Sequence, residues 1–213
     1  AIEKACETND IVNVSWGSNY DEWGYTDWEQ KTWYRKAKEK GCLVVKAAGN
    51  GGIKEEKRSN IPEDAPMLTV AASDTLTTDA SFSSRGVITA PGEGVFTALS
   101  TQHEYGSETK ERSCEKDRNK MGPINGTSFS APIVAGVASQ VVTALKQTNQ
   151  CPTDPANKLK LIKNILIASA KWNKKLGSQT EMVNAYAAVT LAMGFQVGQP
   201  DDVDSLLGVL AKG

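Results

Sequence analysis

The sequence predicts an α/β fold built on a mostly parallel sheet, and three observations carry that reading. Two short β-branched apolar runs, Ile11–Trp16 (IVNVSW) and Leu43–Ala48 (LVVKAA), flank a helix-like stretch. Further apolar runs follow at Met67–Ala72, Gly86–Pro91 and Val95–Leu99. From Ser128 the residues are small or apolar nearly all round, the pattern of a helix sunk in a core. A chain of 213 residues with 39% apolar side chains suits one medium-sized domain with a substantial interior.

In chain order, AIEKACETND reads as the middle of a helix with no initiator Met, basic n-region or signal core, so a segment upstream of Ala1 is expected. The runs at Ile11–Trp16 and Leu43–Ala48, with a helix over Thr26–Lys40 between them, form a βαβ unit. Such crossovers are right-handed and place both strands parallel. Gly17 and Asn50, each just past a strand, then share the sheet's carboxyl edge, where open α/β sheets bind ligands. Trp28 and Trp33 are read as packing that helix on the sheet, whereas Trp16 fits a core and a cleft alike. Thr101–Pro123 is polar and charged and reads as a long surface excursion. Helices are expected at Ser128–Lys146, Asn157–Ala170 and Glu181–Gly194. In the acidic tail Asp201, Asp202 and Asp204 read as solvated charge in preference to a calcium site.

The charge is nearly balanced, with 24 basic against 25 acidic residues and no basic block, so neither a nucleic acid nor an anionic membrane is indicated as a partner. No uninterrupted apolar run approaches about 18 residues, so no transmembrane span is expected. The cysteines are Cys6, Cys42, Cys114 and Cys151, with no C-x-x-C pair. Four allow three pairings, among which the spacing does not choose. Cys114 lies in SETKERSCEKDRNK, where a free thiol would be exposed, and the set reads as disulfides in an oxidising compartment.

The chemistry concentrates in INGTSFSAPIVAG, Ile124–Gly136. Thr127 reads as the N-cap of the apolar helix. Ser128 falls in its first turn, where unpaired N–H groups and the positive end of the dipole stabilise negative charge. Pro132 has no N–H for the Ser128 carbonyl, so a distorted helix entry is expected. Alone, Gly-Thr-Ser would mark no more than a capping serine. A hydrolase elbow fails, because Ser130 replaces the last glycine of G-x-S-x-G and no histidine follows. A nucleotide loop fares no better: AAGNGG lacks the third glycine of G-x-G-x-x-G, and no G-x-x-x-x-G-K-[ST] occurs.

NGTSFSAP is similar to the serine motif of the subtilisin-like serine proteases (subtilases), with Phe129 where methionine is common and Ser130 where alanine is common. VVKAAGNGG, IVNVSWGS, MLTVAASD with ASFSSRG and APGEGV, and EMVNAYAAV resemble further segments of that family, in family order. The resemblance spans about Ala1–Gly194. It implies a three-layer, doubly wound subtilisin-like fold in which residues 1–195 are the C-terminal portion of a catalytic domain, 101–123 an insertion and 196–213 an acidic tail.

The resemblance further implies that Ser128 is the nucleophile and Asn50 the oxyanion donor. Ser15, Trp16 and Gly17 match the strand end that binds extended peptide, and Ala47, Ala48 and Gly49 match a wall of the specificity pocket. In the family's order aspartate and histidine precede the serine, and no motif for either is present. The sole histidine, His103, lies in the insertion and reads as a surface residue rather than the base. The chain alone is therefore expected to be nearly inert, with the N-terminal portion of the same protease as a separate-chain partner and a peptide or protein as substrate. No cofactor is required for such catalysis, structural calcium is common in the family, and a secreted protein is implied. An inactive subtilase-like module that binds extended peptides is the alternative, and a nucleotide-binding domain a remote third. The sequons at Asn13 and Asn125 fall in segments expected to be buried or catalytic, so neither is expected to carry a glycan.

Overall fold

The computed structural model describes residues 1–16, 34–52, 65–74, 78–98, 121–175 and 181–194. Four parallel strands form the central sheet in the order β1-β2-β3-β4: β1 Ile11–Val14, β2 Leu43–Ala47, β3 Met67–Ser73 and β4 Ile88–Pro91. Val12 pairs with Val44, Val45 with Leu68, and Val70 with Ile88. Strands covered on both faces need no polar alternation, and Leu43, Val44 and Val45 are all fully buried.

Side-chain alternation divides the interior in two. Leu43, Val45, Leu68, Val70, Ile88 and Ala90 face one layer, which holds α3 (Thr127–Gln147), α4 (Pro155–Lys175) and α5 (Ala185–Ala192). Val44 and Met67 face the other, with Cys6 of α1 (Ile2–Cys6) and Ala37 of α2 (Arg35–Lys40). The α/β, three-layer, parallel-sheet expectation is met. Of the helix expected over Thr26–Lys40, only the α2 end lies within the described residues; Trp28 and Trp33 lie outside them.

α3 runs through the centre of the larger layer, with Ala131, Val134, Ala138 and Val141 fully buried. Its 21 residues are long and apolar enough to cross a bilayer by composition, which the expectation from uninterrupted runs had passed over. Here that apolar surface packs on β1 to β4, α4 and α5, the behaviour of a core helix.

Several boundaries differ from expectation for local reasons. α4 starts two residues earlier than expected because the Asp154 carboxylate accepts from Asn157 N at 2.8 Å and Pro155 takes the first helical position. α5 starts later, at Ala185, where the Asn184 side chain accepts from Ala187 N. Glu181–Val183 instead bonds alongside β4, with Thr89 N donating to Glu181 O and Val183 N to Thr89 O. The end of the expected excursion is a strand: β6, Met121–Ile124, pairs antiparallel with β5, Val95–Ala98, and leads straight into α3. Asn13 and Asn125, expected in buried or catalytic segments, are both exposed.

Two links fasten the N-terminal region. A disulfide joins Cys6 to Cys42 across 36 residues, both sulfurs buried between α1 and β2. Among the described residues Cys151 is a free thiol, and Cys114 lies outside them. At the start of β1, the Asp10 carboxylate accepts from Lys146 at 2.6 Å and Lys158 at 2.8 Å, tying the end of α3 and the start of α4 to the sheet. Burial pushes this carboxyl up, but hydrogen bonds from Lys146 and Lys158, with their charges, outweigh it and hold Asp10 below its ordinary value.

Removing the disulfide, by Cys6→Ala with Cys42→Ala, is expected to cost about 3–4 kcal/mol of unfolding free energy, the scale for closing a loop of this size. Urea titrations of the two proteins measure it. The ion-pair link predicts a pH signature: a depressed carboxyl stabilises the fold above its unfolded value near pH ~4, and that contribution is lost as pH falls through the lower folded value. Asp10→Asn should cost about 1 kcal/mol at pH 6 and nearly nothing at pH 2, read from denaturation midpoints at both.

Candidate active site

The carboxyl ends of β1 and β2 meet the first turn of α3. The chain enters that turn through Gly126, at φ 157° and ψ 145°, a region open to glycine almost alone. Gly126 N donates to Gly92 O at 2.7 Å. At Gly92 a Cβ would lie 2.2 Å from Ser130 Oγ and 2.5 Å from Ala72 Cβ, so glycine there lets β4 approach the helix closely. Ser130, where the family more often has alanine, is fully buried and donates to Pro91 O at 3.2 Å. Gly126, not Thr127, precedes the helix; Thr127 is its first residue.

Thr127 is freed from capping for another task. Its N–H donates to Asn50 Oδ1 at 3.0 Å, its hydroxyl donates to the same oxygen at 2.9 Å, and Gly49 N donates to that hydroxyl at 3.0 Å. A backbone N–H can only donate, so the carboxamide atom facing Thr127 is the oxygen. Asn50 Nδ2 is thereby turned away from the oxygen's partners, on an exposed residue, 3.5 Å from where a Gly126 Cβ would sit.

Ser128 follows at once, half-buried in a turn whose N–H groups have no partner earlier in the helix. Its hydroxyl donates to Ser15 O at 3.0 Å, and the Ser15 hydroxyl donates to Ser128 O at 2.7 Å. The structure thus brings Ser128, Asn50 and Ser15 to one place, with Gly49 part of the same network. Ala48 is buried, Ala47 half-buried and Trp16 81% exposed, which removes Trp16 from the core. Gly17 and His103 lie outside the described residues. A helix N-terminus beside a carboxamide donor is an arrangement that can receive an anion.

Sequence reasoning missed the support behind Asn50. Ser84 N donates to Gly49 O at 2.9 Å, Gly51 N to Ser84 Oγ at 3.3 Å, and Gly52 N to Phe82 O at 2.9 Å. Ser83 Oγ accepts from Ala72 N and donates to Ser84 O. Both serines are buried. ASFSSRG, which reads as a connection in sequence, is the frame that holds the Gly49–Gly52 turn; its serines stand among other polar residues, TTDASFSSRG, so nothing local sets the two buried ones apart. At its start, burial raises the Asp79 carboxyl, opposed by the Thr89 hydrogen bond and the Arg85 charge. Among the described residues no three His, Cys, Asp or Glu side chains group to hold a metal, so no calcium ligand set is assigned there.

A parallel sheet layered by helices, with the first turn of its central helix at the carboxyl edge beside a carboxamide, defines a layered α/β chain with an anion-receiving sheet edge. The chain belongs to the subtilase family (peptidase S8), which residues 1–195 match. It is 32% identical over 142 residues to Subtilisin-like protease 12 of Arthroderma gypseum, covering 65% of this chain and 30% of that protein. With Subtilisin-like protease 3 of Pseudogymnoascus destructans it shares 30% identity over 168 residues, 74% of this chain and 35% of that one. The chain thus spans about a third of these relatives' length. Among solved structures, the self-cleaved protease domain of PatA superposes with a TM-score of 0.65 at 27% identity, over 92% of this chain and 67% of that one.

Proposed function

We propose that this chain is the serine- and asparagine-bearing portion of a serine endopeptidase. The observation that carries the reading is the double anchoring of Asn50 Oδ1 by Thr127, which leaves the carboxamide N–H₂ as the donor beside Ser128. Ser128 Oγ attacks the carbonyl carbon of a peptide bond and gives its proton to an imidazole. The carbonyl oxygen becomes an oxyanion, which Asn50 Nδ2 and the Ser128 N–H stabilise. Collapse breaks the C–N bond as the imidazolium protonates the departing amine; water then hydrolyses the acyl-serine by the same steps, and Ser128 recovers its proton.

The extended substrate lies along Ser15–Gly17 by strand addition, with Ala47, Ala48 and Gly49 forming a wall of the pocket for the residue before the scissile bond. Small side chains there leave room for a large apolar group. The imidazole and its orienting aspartate come from an N-terminal portion of the protease held as a separate chain. Two facts support that placement: among the described residues β1 pairs with β2 alone and is only half-buried, while β2 is paired on both sides. The relatives also extend well beyond the region matched. The buried disulfide supports a secreted, oxidising setting. The Ser128 hydroxyl bonding to a backbone carbonyl favours the second reading, an inactive peptide-binding module.

A fluorophosphonate probe separates the two readings. In the assembled protease, Ser128 is expected to be labelled covalently, Ser128→Ala to abolish labelling, and Asn50→Leu to slow peptide turnover by about a hundredfold to a thousandfold, the size known for one oxyanion donor of a subtilisin. No labelling of the assembled wild type sinks the enzyme reading. Native and denaturing mass spectrometry test the partner chain: two masses are expected on denaturation of a single native species, and one mass in both conditions rules the partner out.

A further inference from the structure

We propose that the Ser15 hydroxyl is a positioning group for Ser128, supplying the hydrogen bond that Pro132 removes from the first turn of α3. In an α-helix the carbonyl of residue i accepts from the N–H of residue i+4. For Ser128 that residue is Pro132, which has no N–H and whose ring crowds the same carbonyl. The Ser15 hydroxyl fills the role from outside the helix, donating to Ser128 O at 2.7 Å. Asn13 Nδ2 donates to Ser15 Oγ at 3.0 Å, which occupies a lone pair and directs the hydroxyl proton toward the helix. The relay Asn13 to Ser15 to Ser128 therefore runs one way.

Ser128 is gripped on both sides as a result. The peptide unit before Thr127 is held through Thr127 N on Asn50, and the unit after Ser128 through its carbonyl on Ser15. Between these anchors the backbone of residue 128 has little freedom, so the direction of its hydroxyl and N–H is fixed before any peptide arrives. The catalytic consequence rests on the reading of Ser128 as nucleophile; the structural relay does not. This role is distinct from the expected use of Ser15 as part of the peptide-binding strand, which involves the backbone.

The test is a cycle of Ser15→Ala, Pro132→Ala and the double variant, read in two ways. By hydrogen–deuterium exchange on the full chain, Ser15→Ala should speed exchange at Ile133 and Val134 by about threefold to tenfold while leaving Val141 and Val142 unchanged. In the Pro132→Ala background, where an N–H is restored at position 132, Ser15→Ala should change exchange by less than about twofold. Ser15→Thr, which keeps the hydroxyl, should recover the wild-type pattern. Fluorophosphonate labelling of the assembled protease should follow the same order, with Ser15→Ala slowed by about threefold to tenfold and no further loss in the double variant relative to Pro132→Ala. Equal losses in both backgrounds, or wild-type exchange in Ser15→Ala, overturn the proposal. Should Ser15→Ala fail to fold, folding of the double variant upholds it, and failure of the double where Pro132→Ala folds overturns it. Absence of labelling in the wild type counts against the nucleophile reading alone, since the exchange arm still decides the relay.

Discussion

The contact between Asn50 and Thr127 joins the two halves of the structure that matter for chemistry. Asn50 ends the β2 segment, and Thr127 begins α3; one carboxamide oxygen accepts two hydrogen bonds across that junction. Those bonds set the height of the helix N-terminus relative to the sheet edge. They also decide which end of the carboxamide faces outward, a choice that a freely rotating side chain would leave to solvent. The buried serines at 83 and 84 hold the turn from behind, so the orientation is built into the backbone frame.

Such a junction needs α3 brought close to the sheet, and the packing explains how. Small buried side chains on the helix, Ala131, Ala135 and Ala138 among them, allow close packing in the core. Gly92 at the end of β4 extends the same logic, since any side chain there would collide with Ser130. The tight interface leaves little room for the polar Ser130, which finds its partner in the Pro91 carbonyl. A buried hydroxyl without a partner would cost more than the alanine it replaces, and the hydrogen bond offsets that cost.

Much of this arrangement was legible in the linear chain. The β-branched runs at Ile11 and Leu43 and the all-round apolar helix after Ser128 reflect burial on both faces, which leaves a mark on every residue of the element. Ser128 and Asn50 are legible through NGTSFSAP and VVKAAGNGG, the segments that resemble the family's, since a first-turn serine or a strand-end asparagine alone marks no more than a cap or a turn. Less legible were features that depend on partners remote in sequence. A threonine before a helix reads as a cap, and nothing near Thr127 in the chain tells of Asn50, 77 residues away. Glu181–Val183 looks helical in sequence because its bonds to Thr89 are likewise non-local. The strand at Met121–Ile124 was hidden in a polar excursion, since a two-stranded ribbon half open to water needs no continuous apolar run.

The amino-acid order by itself determined the fold class, the parallel sheet, the family and the residues worth suspecting, because periodicity, glycine placement and short motifs are local properties imposed by burial and backbone geometry. Only the tertiary structure decided which way Asn50 turns, which cysteine pairs with Cys6, what supports the Gly49–Gly52 turn, and where the carbonyl stranded by Pro132 finds its donor. Each of those is settled by a hydrogen bond or a covalent bond between groups separated by tens of residues, and the geometry that brings them within reach exists only once the layers have packed.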